Sequence, residues 1–178
     1  IADGQGIGTI MNDDSQPALS INDVSVTEGN AGTANAIFTV SLSQASSQTI
    51  TVNLATADGS ATIADIDYAA RSGTLTFASG VTSRSDTVKV NGDATNEPDQ
   101  TFFVNLTLPS NATIADNQGL GTIHNDDGVP SITINDVSTS EGNSGTSNAV
   151  FVYSLSTAST QTVTVNFATA AGTATAGT

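Results

Sequence analysis

Hydrophobic side chains recur at every second position along most of this chain. In "QTITVNLATA", Ile50, Val52 and Leu54 fall on one face and Thr49, Thr51 and Asn53 on the other, the alternation of a strand with one buried side. Phe38, Val40 and Leu42 repeat it, as do Leu75 and Phe77 in "GTLTF", Val88 and Val90 in "DTVKV", and Phe102, Val104, Leu106 and Leu108 in "TFFVNLTL". Together with "ALSINDVSV" and "GLGTIHN", the pattern predicts about seven strands, separated by clusters of Gly, Asn, Asp and Ser that favour turns. No stretch shows a helical period. So many short strands between residues 17 and 127 indicate an all-β fold. The expected architecture is an immunoglobulin-like antiparallel β-sandwich, here without the Cys and Trp signature of that fold.

The pattern also repeats on a larger scale. "IADGQGIGTIMNDD" at 1–14 returns as "IADNQGLGTIHNDD" at 114–127, and "SINDVSVTEGNAGTANAIF" at 20–38 returns as "TINDVSTSEGNSGTSNAVF" at 133–151. The shift is 113 residues throughout, and it also carries "QTITVNLATADGSAT" at 48–62 onto "QTVTVNFATAAGTAT" at 161–175. Tandem duplication is the simplest origin. The chain therefore reads as the last strand of a preceding repeat (1–16), a complete repeat (17–127) and the first half of a following one (128–178). It is expected to be a window on an array.

Charge narrows the function. Seventeen acidic residues face only Arg71, Arg84 and Lys89, for a net charge of −14, which repels nucleic-acid phosphates and anionic membrane surfaces. Cations are the natural partners. With no Cys and a single His, thiolate sites, zinc centres and His-dependent nucleophilic catalysis lose their raw material. No apolar run approaches the roughly 20 residues that span a bilayer. We expect a non-enzyme that neither binds nucleic acid nor inserts directly into a membrane.

The acidic residues are not scattered. Glu28 follows the first predicted strand, Asp58 the third, Asp93 and Glu97 lie between the fifth and sixth, and Asp126 and Asp127 end the seventh. In a sandwich these loops share one pole. Like charges that close cost several kcal/mol unless a cation lies between them. Ca²⁺ takes about six to eight oxygen ligands in flexible geometry, whereas Mg²⁺ demands a tighter octahedron and is the weaker expectation. Asp65, Asp67 and Asp99 read as solvated or turn-forming, and Asp23 and Asp136 in the repeated "IND" as a turn or bulge. His124 occupies the slot of Met11 in the preceding copy, which speaks against catalysis. The lone "GQGIG" at 4–8 leads into a strand and describes no dinucleotide site.

The combination of "VTEG", "ADGSAT", "DY" at 67–68, "GTLTF", "NEPDQTF" and the closing "GTIHNDD" resembles the Calx-β family. The resemblance implies an immunoglobulin-like sandwich with Ca²⁺ at one pole, as found in sodium–calcium exchangers, an integrin β subunit and large bacterial or algal surface proteins. Carried over by position, it implies Glu28, Asp58, Asp93, Glu97, Asp126 and Asp127 as Ca²⁺ ligands. Gly92, Gln100 and Asn125 interrupt what is an unbroken acidic run in the family's strongest calcium binders, so the pattern does not fix the number of ions. Near-identical tandem copies favour a structural or adhesive stalk, since reach grows with every unit added. The alternative is a regulatory Ca²⁺ sensor attached to a transporter or enzyme. The stalk reading implies a large extracellular or bacterial cell-surface protein, with neighbouring repeats, other surface proteins and glycans as candidate partners.

Overall fold

The computed structural model describes residues 2–11, 13 and 15–174. Residues 1, 12, 14 and 175–178, all within the two expected partial repeats, lie outside the described residues. Nine strands build a two-sheet sandwich: β1 (Ala18–Ile21), β2 (Val24–Thr27), β3 (Gly32–Leu42), β4 (Ile50–Asp58), β5 (Ser72–Phe77), β6 (Ser83–Gly92), β7 (Gln100–Ser110), β8 (Thr113–Ile114) and β9 (Gln118–His124). One sheet has the order β6-β3-β1-β8 and the other β2-β9-β7-β4-β5. Most neighbours are antiparallel, but β1 pairs with β8 and β2 with β9 in parallel.

The expected first strand is two strands, because the chain changes sheets at Asn22 and Asp23. Asn22 Oδ1 accepts the Thr39 amide at 2.6 Å and Asp23 Oδ1 accepts the Leu120 amide at 2.7 Å, so the kink is tied to both sheets. The "IND" triplet is thus the turn that its composition suggests.

The inward alternation is the core. Leu19, Phe38, Ile50, Val52, Phe77, Val90, Phe102 and Val104 are fully buried. Tyr68 stacks on Phe102 with centroids 4.6 Å apart, and Phe38 meets the same ring edge-on at 5.9 Å, geometries that suit the aromatic quadrupole. Gly121 lies under that ring, where a Cβ would strike it. Leu108 departs from the expected face and is exposed. Pairing between β4 and β7 slips between Thr51 and Asn53, and Leu108 takes a φ of 51° in that bulge; one extra residue turns its side chain outward.

Beyond the sandwich, β10 (Ile132–Ile134) pairs with β11 (Tyr153–Leu155). Ile132 faces Leu155 just as Leu19 faces Leu42 between β1 and β3, so this hairpin copies the register of its counterpart 113 residues earlier. Residues 2–11 are exposed and carry no strand.

Candidate metal centre

Three loops and one strand end build the acidic pole. Glu28 directly follows β2 and is buried; its amide donates to the His124 carbonyl at 3.3 Å. Gly29, with φ of 78°, turns the chain so that its amide reaches Asp126 Oδ1 at 3.0 Å, and Asn30 Nδ2 donates to Asp127 Oδ1 at 2.8 Å. The loop after β2 is therefore fastened to the residues after β9. Asp93 follows β6 and closes a short turn by accepting the Thr95 amide at 2.6 Å. Asn96 is buried and donates to the Asp127 carbonyl at 2.9 Å, which brings Glu97 alongside. Glu97 Oε2 accepts from Gln100 at 3.3 Å.

The electrostatics follow from this convergence. Burial first, then Glu97, Asp93, Asp127 and Asp126, push the Glu28 pKa from 4.5 up to about 7. Burial likewise raises Glu97, helped by Asp67, Asp93, Asp127 and Asp65. Asp127 is raised by burial and by Asp126 and Asp93. Among the described residues no cation relieves them: Arg71 pairs with Asp86, Lys89 donates to Asn35 and Arg84 to the Thr76 carbonyl.

Five of the six carboxylates singled out in the sequence thus feel one another around Glu28. The sixth, Asp58, stands apart at the end of β4, where its Oδ1 accepts the Tyr68 hydroxyl at 2.5 Å and the Ile63 amide at 3.2 Å. Asp65 and Asp67 do form the expected turn, through Thr62. They also line a cleft of about 570 Å³ together with Asp93, Glu97, Asp99 and Thr160. Asp67, raised chiefly by burial, feels Asp65, Asp93 and Asp58, and so links Asp58 to the main group. Asp99 faces outward and pairs with His124 Nδ1 at 2.7 Å. What the sequence pattern did not reveal is the placement of Asp65 and Asp67 at the pole and the anchoring role of Asn96. "NEPDQTF" signals Asn96 only when polar neutral residues are weighed beside the carboxylates.

The donor set fits a hard cation. Glu28 Oε1, Gln100 Oε1, Asn125 Oδ1 and Asp127 Oδ2 are buried without a hydrogen-bond partner. All four are oxygens and all belong to this pole. Leaving such groups unpaired costs about 1–3 kcal/mol each, more when charged. Among the described residues, no three Asp, Glu, His or Cys side chains are already drawn together tightly enough to hold a metal. Gly92 has a steric explanation: a Cβ there would collide with the Gly29 carbonyl and lie 2.6 Å from that of Glu28. The break in the acidic run at this position is imposed by the close approach of the two loops.

The profile of the Calx-beta domain matches residues 12–136 and again 124–178. No curated protein matches the chain. Among solved structures it is similar to the apo form of the Calx CBD1 domain, at 25% identity and a TM-score of 0.55 over 64% of this chain and all of that one. It is also similar to CBD12 from CALX1.2 (22% identity, TM-score 0.57, 67% of this chain) and to the calcium binding domain CBD12 of CALX1.1 (25%, 0.55, 61%). The chain spans only 48% and 44% of those two longer structures. Because the family profile matches residues 12–178, nearly the whole chain, the chain belongs to the Calx-beta domain family.

Proposed function

We propose that the pole of residues 17–127 binds Ca²⁺, with Glu28, Asp93, Glu97, Asp126 and Asp127 as the carboxylate ligands. Asp58 is the sixth, reached through Asp67. The observation that carries this reading is the set of four unpartnered buried oxygens amid five mutually repelling carboxylates. Ca²⁺ accepts carboxylate and amide oxygens together and tolerates irregular geometry, so Asn125 and Gln100 complete the shell where the acidic run is broken. Bound there, the ion supplies charge neutralisation and a crosslink between loops; Asn96 and Gly29 supply the placement. The similar CALX1.1 structure is that of a calcium binding domain, which supports the same chemistry here.

On this reading the module is a binding and structural unit, not an enzyme, and it serves as a repeating piece of an extracellular or cell-surface stalk. Support comes from the 113-residue sequence repeat and the copied hairpin register. A ligand that binds only the folded state at 100 times its dissociation constant adds about 2.7 kcal/mol. Melting the chain in millimolar Ca²⁺, in Mg²⁺ and in chelator tests the proposal: Ca²⁺ raises Tm by several degrees, Mg²⁺ much less. Identical melts in Ca²⁺ and chelator refute it.

A further inference from the structure

The loop that carries Asp93 and Glu97 also holds the next segment of chain. Asn96 N donates to the Ala158 carbonyl at 3.2 Å, while Thr160 N and Ser159 Oγ donate to the Asn96 carbonyl at 3.2 and 3.1 Å. Thr157 Oγ1 donates to the Ala94 carbonyl at 2.5 Å, and Asn96 and Ser159 form an isolated parallel bridge. The receiving element is the turn that follows β11.

That turn exists twice in the chain. The 113-residue shift places Ser156–Gln161 on Ser43–Gln48, and the bonds that shape the two are the same. Gln161 N reaches Ser159 Oγ at 3.1 Å as Gln48 N reaches Ser46 Oγ at 3.0 Å. Ser131 N donates to Ser156 Oγ at 2.9 Å, as Ala18 N does to Ser43 Oγ. Pro17 and Pro130, in equivalent positions before these contacts, are both buried. In the central repeat the turn is further braced by Gly80 N, 2.9 Å from the Ser46 carbonyl. Yet among the described residues no loop sits on it as Asn96 sits on its counterpart; its one outward hydrogen bond besides Gly80 is from Gln44 Nε2 to the Ser15 carbonyl at 2.6 Å. Ala45 O and Ser47 N, the counterparts of the groups that grip Asn96, make no backbone hydrogen bond among the described residues, and the turn borders an open cleft of about 390 Å³ with Ser15, Gln16, Pro17 and Asn111.

We propose that the Gln44–Gln48 turn is a second receptor of this kind, and that its occupant is the Ala94–Asn96 loop of another copy of the repeat. Ala45 O, Ser47 N and Ser46 Oγ then take the roles of Ala158 O, Thr160 N and Ser159 Oγ. One pole of each repeat meets the opposite pole of the next, a heterologous contact that can be repeated from copy to copy. The contact itself uses backbone groups and hydroxyls and no carboxylate, so crosslinking in chelator tests it apart from the calcium reading.

The chain has no cysteine, so introduced pairs report contact directly in the 178-residue chain under a glutathione redox buffer. Ala94→Cys with Thr157→Cys in one chain should close an intramolecular disulfide. For the second receptor, a donor chain carries Ala94→Cys with Ser159→Pro and Thr160→Pro, which release its loop, and is mixed with an acceptor chain carrying Gln44→Cys. Specific seating raises the local thiol concentration, so this pair should crosslink about tenfold faster than the same donor with an acceptor carrying Lys89→Cys on the exposed face of β6. A donor with Thr160→Pro alone, checked for folding by circular dichroism, reads the same contact with a lighter perturbation. Equal rates with the two acceptors overturn the proposal, as does failure of the intramolecular pair to close.

Discussion

Replacing Glu28 by Gln removes one negative charge from the pole at almost constant size. In the folded chain Glu28 is 5% exposed, its Oε1 makes no hydrogen bond, and its pKa is raised from 4.5 to about 7. At about 1.36 kcal/mol per unit, the shift corresponds to roughly 3 kcal/mol, which screening by water at this rim reduces to about 2 kcal/mol. The sign is set by the raised value. The unfolded carboxyl ionises near 4.5 and the folded one near 7, so the folded state holds its proton longer and loses stability as pH rises between them. The penalty is absent below that window and complete above it. In chelator at about pH 8, Glu28→Gln should therefore be more stable than the parent by about 2 kcal/mol, or roughly 8 °C in Tm for a domain of this size. At about pH 4 the two should melt together. In millimolar Ca²⁺ the order reverses, because the variant lacks a charged ligand and gains less from the ion. Differential scanning calorimetry at the two pH values, with Ca²⁺ and with chelator, reads all four conditions. A variant less stable than the parent in chelator at the higher pH would show that Glu28 carries no such penalty.

Three further substitutions follow from the same geometry. Tyr68→Phe keeps the stack on Phe102 but removes the hydrogen bond to Asp58, and should lower stability by about 1 kcal/mol in thermal melts. Gly92→Asp, which would restore the interrupted acidic run, should weaken the fold and bring no gain in Ca²⁺ affinity, since any Cβ there meets the Gly29 carbonyl; a stable variant with tighter binding would count against the steric explanation. Asp99→Ala should leave the Ca²⁺ titration largely intact, because the two oxygens of that carboxylate are engaged by His124 Nδ1 and the Asn125 amide.

The period-two pattern made the sandwich legible, because a strand with one wet face writes its burial directly into alternation. Ile50, Val52, Leu54, Phe102 and Val104 all face the core as the pattern requires. Leu108 did not, since a bulge inserts a residue without any local change of composition. The splitting of the first strand was visible only as "IND", whose two side chains turn out to clamp opposite sheets. At the pole, counting carboxylates found the group around Glu28, because loops after alternate strands share an end. It could not show that Tyr68 holds Asp58 or that the turn at Thr62 brings Asp65 and Asp67 to the same cleft. Those depend on where a buried ring and a short turn come to rest, and neither has a period to read.

Whether this pole is a Ca²⁺ site is decided by isothermal titration of the chelator-treated 178-residue chain with CaCl₂ at about pH 7. Saturable binding accompanied by proton release is expected, since Glu28 is partly protonated there and must ionise to ligate. Asp93→Asn combined with Glu97→Gln should abolish the signal while the fold persists by circular dichroism. A flat titration of the parent chain up to millimolar Ca²⁺, or an undiminished one in the double variant, would rule the site out.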